Sequence, residues 1–510
     1  MSALLAPPQA TRTTRPWAAL AVLMLPVLLI SVDNTVLSFA LPAITTALGA
    51  SGGQLLWIVD AYPLMLAGLL VPMGSLGDRI GRRRLLLVGA TGFALVSLLA
   101  AWAPTPPLLI AARALLGVFG ATLMPSTLSL LRNVFTDRAQ RRLAIAIWAA
   151  GFAAGGALGP IVGGFLLTHF WWGSVFLLNT PLLLVLIPLA LWLVPESRDP
   201  HPGPVDVPSI LLSLVTMLPL VHAIIEVGEH GVSARTFLGV AVGLVAGWAF
   251  VRRQRRLTTP MLDVSLFTRA TFSGAVCANL LSIMGFSGLL VVVSQFLQLV
   301  LGMSPMDAGL VLLPGLVASV IAGLVAVTLV RYIRPGMLIG GSFLLAALGY
   351  LLASRVGTDP TAGTIAVAFV VMALGVGLAE TLTNDEIVAS VPAEKAGAAS
   401  AVSETAYELG TTLGVAVLGS VLNATYRARV VVPDSMTVDQ GHAAGETLAG
   451  AVRVAGEVDA STGQTLLDSA RAAFDLGMQR SALVGIGVAV AAAAVSFVTL
   501  RKATGQDPQE

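Results

Sequence analysis

The chain consists largely of uninterrupted apolar runs, each about the 20 residues that a helix needs to cross a bilayer. About 14 such runs follow one another. Their cores lie near residues 17–40, 54–73, 84–102, 108–130, 143–167, 173–194, 207–227, 235–251, 272–300, 308–330, 336–354, 362–389, 398–422 and 480–500. The runs are continuous instead of alternating, which excludes a transmembrane barrel. The first run is long, holds Asp33 and Asn34, and lacks a small-residue cleavage site. It is therefore expected to remain as a span. The expected fold is an all-α integral membrane protein with 14 transmembrane helices.

Charge supports this and narrows the function. Only 11% of the residues are charged, where a soluble chain carries roughly a quarter. A water-soluble enzyme of this length is excluded. The net charge is +2 and the arginines recur at intervals, so no nucleic-acid partner is expected. The single cysteine, Cys277, excludes an internal disulfide and a cysteine-based zinc site. The five histidines are scattered and form no metal-ligand pattern.

Fourteen spans put both termini on one side. The N-terminal tail (Arg12, Arg15), the even-to-odd loops (Arg79, Arg82, Arg83, Arg84; Arg138, Arg141, Arg142; Arg252, Arg253, Arg255, Arg256) and the C-terminal tail (Arg501, Lys502) hold most of the positive charge. That side is assigned to the cytoplasm. Most loops are short. The exception is an outer segment, residues 423–479, where Leu466, Leu467, Ala470, Ala473, Phe474 and Met478 recur at helical spacing. An amphipathic helix is expected there. The turn GSLGDRIGRRR after span 2 has a degenerate counterpart, LVRYIRPG, after span 10. This internal symmetry divides the chain into a six-helix bundle (1–197), an inserted helix pair (198–260) and a second six-helix bundle (261–510), a 6 + 2 + 6 plan. Repeats of this kind place a transport site between the halves.

Two motifs stand out. In the turn after span 2, Gly74, Gly77 and Gly81 permit close approach and a tight turn. Asp78 is placed to face a helix N-terminus or the arginines beginning at Arg82. Such a pair would gate the cytoplasmic side. In span 5, Gly151, Gly155, Gly159 and Gly163 are four apart and leave one bare stripe, on which a partner helix can pack backbone to backbone. Pro160 interrupts the helix hydrogen bonding within it.

On these residues the chain resembles the major facilitator superfamily. GSLGDRIGRRR is similar to its loop 2–3 signature, GGALGPIVGG to the span 5 signature of its antiporters, and Arg113 in IAARALLGVFGA to its span 4 arginine. VDNTVLSFALPAI resembles the signature of its 14-span drug:proton antiporter family. WIVDAYPL and VSETAYELG carry a likeness to multidrug efflux pumps of the QacA and LfrA type. The resemblance implies alternating access. In the QacA type, acids occupy two neighbouring positions of the last motif and one position in span 10. Here Ser403 replaces one of the first two, and 311–330 holds no acid. Monovalent lipophilic cations are therefore the expected cargo.

Charges inside spans are costly and mark functional sites. At 1.5 Å per residue, Asp33 lies about 13 Å, and Asp60 and Arg113 about 9 Å, below the outer ends of their spans. Either Asp33 or Asp60 can pair with Arg113, and making and breaking that pair would couple protonation to shape. In the second half, Glu404 and Glu408 share a helix face at i, i+4, with Glu380 at similar depth. Two carboxylates on one face in low dielectric are not both ionised, so cargo can displace a proton. Tyr407, Trp57 and Trp148 are candidates for cation–π contact. Glu226, Asp307, Asp359 and His169 are read as loop-edge residues without a role. The sequence has no GxxxxGK[ST] phosphate loop.

The expectation is a monomeric, cofactor-free exporter in the bacterial cytoplasmic membrane, driven by the proton gradient. Its partners would be protons, membrane lipid and lipophilic cations such as quaternary ammonium compounds and dyes. An exporter of an endogenous lipid, peptide or secondary metabolite is the alternative. A receptor or scaffold would gain little from so many buried acids.

Overall fold

The computed structural model describes residues 16–135, 137–198, 205–355, 361–391 and 395–501. Arg12, Arg15, Asp359 and Lys502 lie outside the described residues, as do the side chains of Arg138 and Arg142. All regular structure among the described residues is helical. This follows from the medium: in hydrocarbon every backbone N–H and C=O must be satisfied within its own segment. Fourteen helices are long and apolar enough to span a membrane.

The first half runs through α1 (Pro16–Leu48), α2 (Gly52–Ile80), α3 (Arg82–Ala101), α4 (Pro106–Val134), α5 (Arg138–His169), the short α6 (Ser174–Leu177) and α7 (Asn179–Leu193). The pair α8 (Val207–His230) and α9 (Ala234–Gln254) follows. The second half comprises α10 (Ala270–Gln295), α11 (Pro305–Leu329), α12 (Pro335–Ser354), α13 (Ala362–Ala389), α14 (Ala396–Arg429), α15 (Val438–Glu446), α16 (Leu448–Ala455) and α17 (Ala460–Thr499).

The amphipathic stretch expected in the outer loop is not a separate helix. It forms the first turns of α17, which runs unbroken for 40 residues. At 1.5 Å per residue α17 is about 60 Å long, roughly twice the hydrocarbon thickness, so one end stands clear of the membrane. Leu466, Ala470, Phe474 and Met478 are buried there because α16 covers them through Leu448, Ala451 and Val454. The Tyr426 hydroxyl donates to the Ala444 carbonyl at 2.8 Å and anchors α15 to α14. The outer segment is thus a packed cover.

The bare stripe of α5 faces α1. A Cβ at Gly151, Gly155, Gly159 or Gly163 would run into Met24, Ser31, Thr35 or Val36 respectively. Pro160, whose ring leaves no N–H to pair, lies against Gly309 of α11. One helix thereby packs on its own half through glycines and on the other half through Pro160.

Contacts that join the halves concentrate at the end opposite the basic turns. Ser294 Oγ donates to the Ser38 carbonyl at 2.8 Å. Gly52 of α2 meets Asn423 of α14, and Gly419 meets Leu56. The inserted α8 straps this end. Its Glu229 accepts from Gly53 N–H at 2.7 Å, and its Gly228 carbonyl accepts from Arg427 of α14. Positive charge makes the basic end cytoplasmic, so these contacts join the halves on the outer side.

Candidate functional site

Of the three charges buried in the first half, two pair directly, and the geometry selects Asp33 over Asp60 as the partner of Arg113. Arg113 of α4 donates to Asp33 of α1 at 2.7 Å, with both side chains shielded from solvent. The guanidinium also donates to the Ile58 carbonyl at 3.1 Å and lies 4.6 Å above the Tyr62 ring. Asn179, at the start of α7, donates to the other Asp33 oxygen at 3.1 Å and reaches Ser97 at 3.5 Å. Asp33 is therefore held from α4 and α7 together.

Asp60 is not in this cluster. It is fully buried and, among the described residues, neither carboxylate oxygen has a hydrogen-bond partner. The two acids lie at comparable depth, but the rotation of α2 gives Arg113 the Ile58 carbonyl and the Tyr62 face, not Asp60.

In the second half, Glu408 of α14 is also fully buried, with both oxygens unpartnered among the described residues. Glu404, one turn closer to the cytoplasm, and Glu380 of α13 are half-buried. Glu380 and Glu404 are electrostatic neighbours, as are Glu404 and Glu408. Glu408 is also within electrostatic reach of Arg113 across the interface between halves. Arg113 is thus within electrostatic reach of acids from both halves. Tyr407, half-buried, feels all three glutamates, and its ring packs edge-on against Phe152 of α5 at 5.8 Å.

Ser403 belongs to a neutral network. Asn279 of α10 donates to Ser403 Oγ at 3.2 Å, and Ser403 donates to Asn384 at 2.9 Å. The tryptophans proposed for cation–π contact are engaged elsewhere. Trp57 stacks near His222 of α8 at 6.1 Å, and Trp148 donates to Thr127 at 3.3 Å.

At the cytoplasmic turn, Asp78 pairs with Arg82 at 2.7 Å, within the motif itself. Gly81 has φ +115°, a region that side chains disfavour. A Cβ there would also stand 2.8 Å from the Glu196 carboxylate. Glu196 follows α7. It accepts from Arg83 N–H at 3.0 Å and lies 3.8 Å from Arg84, while the Ser197 carbonyl accepts from Arg82 N–H at 2.9 Å. Gly74 stands against Pro125 of α4.

Sequence reasoning missed Tyr62, Asn179, Phe152, Asn279 and Glu196. Two signals were available. Tyr62 lies within the quoted WIVDAYPL, and Asn179 is a polar residue in an otherwise apolar stretch that Pro181 interrupts.

A set of membrane-spanning helices that holds a buried ion pair and further buried carboxyls in its interior is the architecture of a multi-pass membrane transporter and not of an enzyme. The chain belongs to the Major Facilitator Superfamily, whose family model matches residues 23–415, and it resides in the bacterial cell membrane. It is 56% identical to the multidrug efflux pump LfrA of Mycolicibacterium smegmatis, over 97% of this chain and 98% of that protein. It is 37% identical to the methyl viologen resistance protein SmvA of Salmonella typhimurium, over 90% of this chain and 93% of that protein. It is 33% identical to the tetracenomycin C resistance and export protein of Streptomyces glaucescens, over 96% and 92%. Among solved structures, an inward-facing, unoccupied bacterial homologue of the lysosomal transporter Spinster matches with TM-score 0.68 at 17% identity, over 97% of this chain and 99% of that chain. This last likeness concerns the fold.

Proposed function

We propose that this protein exports lipophilic, mainly cationic drugs and dyes by proton-coupled alternating access, without a cofactor. The observation that carries the reading is Glu408. It is a fully buried carboxyl without a hydrogen-bond partner among the described residues, within electrostatic reach of an arginine of the other half that Asp33 already pairs. A group so placed must be neutral when nothing positive is near and charged when a cation arrives. It therefore exchanges a proton for cargo. Glu404 and Glu380, which remain half-exposed, receive the cation from the cytoplasmic side. The Asp33–Arg113 pair belongs to the half that must move relative to Glu408, so it senses the exchange.

The energetics suffice. A tenfold proton gradient supplies about 1.4 kcal/mol, and the membrane potential about 2.3 kcal/mol per charge per 100 mV. One proton in for one monovalent cation out is electroneutral and draws on the pH difference alone. The hydroxyl of Ser403, held by Asn279 and Asn384, contributes no charge to the site and favours monovalent cargo. The relative from Salmonella is named for resistance to methyl viologen, a dication, so that compound is the natural comparison. The Streptomyces relative, named for export of tetracenomycin C, favours as a second reading the export of an endogenous amphiphile.

The test is ethidium and methyl viologen accumulation in a susceptible bacterial host, with and without a protonophore. Expression is expected to lower ethidium accumulation several-fold, more than that of methyl viologen, and the protonophore to abolish the difference. Export that persists with the protonophore overturns the coupling. Export of neither cation moves the reading to the endogenous amphiphile.

Phe152 supplies a second prediction. Its contact with Tyr407 crosses between the halves and must open whenever they separate. A flat aromatic cation can take the place of one ring. An aromatic pair contributes roughly 0.5–1.5 kcal/mol beyond burial. Phe152→Ala is therefore expected to weaken export of ethidium about 2- to 10-fold while sparing a tetraalkylammonium ion. Equal loss for both would make Phe152 a packing residue only.

A further inference from the structure

The inserted pair carries chemistry that the transport site does not use. α9 packs on α8 through Gly239, Gly243 and Gly247, which meet Pro219, Leu220 and Thr216. The rest of α9 faces outward. Phe237, Leu238, Leu244 and Val245 are each more than 60% exposed, as on a helix face turned to the hydrocarbon of a bilayer. At the cytoplasmic end of this lipid-facing helix stand Arg252, Arg253, Arg255 and Arg256.

These arginines are not equivalent. Arg253 is already committed: it grips Asp206 at 2.8 and 3.1 Å and reaches Ser209 at 3.2 Å. That guanidinium holds the Asp206 carboxyl below its usual range. Arg252 lies over the Trp248 ring, 5.1 Å from its centroid. Among the described residues, neither Arg252 nor Arg256 has a carboxylate within ion-pairing distance. Together with Trp248, Ala249, Arg253 and Leu257 they line an open cavity of about 450 Å³.

The cavity is built on a fixed joint. Gln254 is buried, donates to Ser209 at 2.7 Å and accepts from Leu262 N–H at 3.0 Å. This pins α9 to α8 and to the chain entering the second half. Simple anchoring of positive charge at the cytoplasmic face requires neither an aromatic platform nor a cavity.

We propose that this cavity binds an anionic phospholipid of the cytoplasmic leaflet. The guanidiniums of Arg252 and Arg256 take the phosphate oxygens, and Trp248, Ala249 and Leu257 carry the glycerol and first acyl carbons. Guanidinium forks match phosphate geometry, and the leaflet in contact with α9 is the one whose surface is negative. A free phosphate ion would use the arginines but leave the apolar floor bare. The lipid would sit where the inserted pair meets the second half, whatever cargo the transporter carries.

The test places the purified full chain in nanodiscs of phosphatidylcholine containing a small fraction of brominated phosphatidylglycerol or brominated phosphatidylcholine. Subtracting the Trp248→Phe variant isolates quenching of Trp248. In the wild-type protein, phosphatidylglycerol is expected to quench Trp248 at a much lower mole fraction than phosphatidylcholine. Arg252→Gln and Arg256→Gln should each shrink that preference about fivefold. Arg255→Gln, which removes the same charge beside the cavity, should leave it intact. Equal quenching by the two lipids in the wild-type protein overturns the proposal without requiring any arginine variant. So does an equal loss in Arg255→Gln, which would mean diffuse attraction. Loss of the preference in excess inorganic phosphate would assign the cavity to the free ion and also overturns it.

Discussion

Glu408→Gln is expected to yield a chain that inserts, folds and binds a lipophilic cation, yet exports it at least about tenfold more slowly in energised cells. The substitution is nearly isosteric and mimics the protonated acid permanently. Burial is therefore little changed, since both Glu408 oxygens are already out of water and unpartnered. What is lost is the ability to release a proton. The added amide N–H groups cost about 1–3 kcal/mol if they stay unpaired, which a folded membrane bundle can absorb. Glu404→Gln makes a useful contrast. Glu404 is half-buried and nearer the cytoplasm, so its loss is expected to act first on the concentration of cargo needed for export. Efflux rate and cation binding, measured on both variants, separate the two roles. Normal ethidium efflux in Glu408→Gln would remove this residue from the coupling.

The largest effect on stability is expected at the Asp33–Arg113 pair. Arg113→Met leaves Asp33 buried with only Asn179 as a donor. Asp33→Leu leaves the guanidinium with the Ile58 carbonyl and the Tyr62 face. Breaking a buried pair from one side costs about 3–5 kcal/mol, because an uncompensated charge remains, whereas replacing both partners with apolar groups is often nearly neutral. Each single variant should thus unfold at markedly lower temperature in detergent, and the double variant should recover most of the loss. The double variant is nevertheless expected to lack proton-coupled export, which distinguishes a working pair from a structural one. If the double variant were as unstable as the singles, the pairing would not be what stabilises this cluster. If it exported normally, the pair would play no part in coupling.

Much of this was legible in the residues. The span count, the basic side and the shared face of Glu404 and Glu408 depend on periodicity within a single helix, and local periodicity survives any tertiary arrangement. The stripe at Gly151, Gly155, Gly159 and Gly163 likewise declared that something must pack there, though not that the partner is α1. The long outer segment reads in sequence as a loop with a helix in it, because its polar residues interrupt the apolar run. Helix continuity, however, is decided by the backbone. In α17 the stretch 460–479 contains neither proline nor a strong stop, so the helix begins twenty residues early.

Sequence alone determined that this chain must live in a bilayer, that its helices carry acids costly to bury, and which side of the membrane its arginines favour. Only the tertiary structure decided that Arg113 takes Asp33 and leaves Asp60 alone, that Glu408 is buried within electrostatic reach of the other half, that Phe152 meets Tyr407, and that Glu196 closes on the turn at Gly81. The reason is geometric. Cost and periodicity are properties of one helix, whereas a partner is chosen by the rotation and crossing of two helices. Those are set by the shapes of side chains far along the chain.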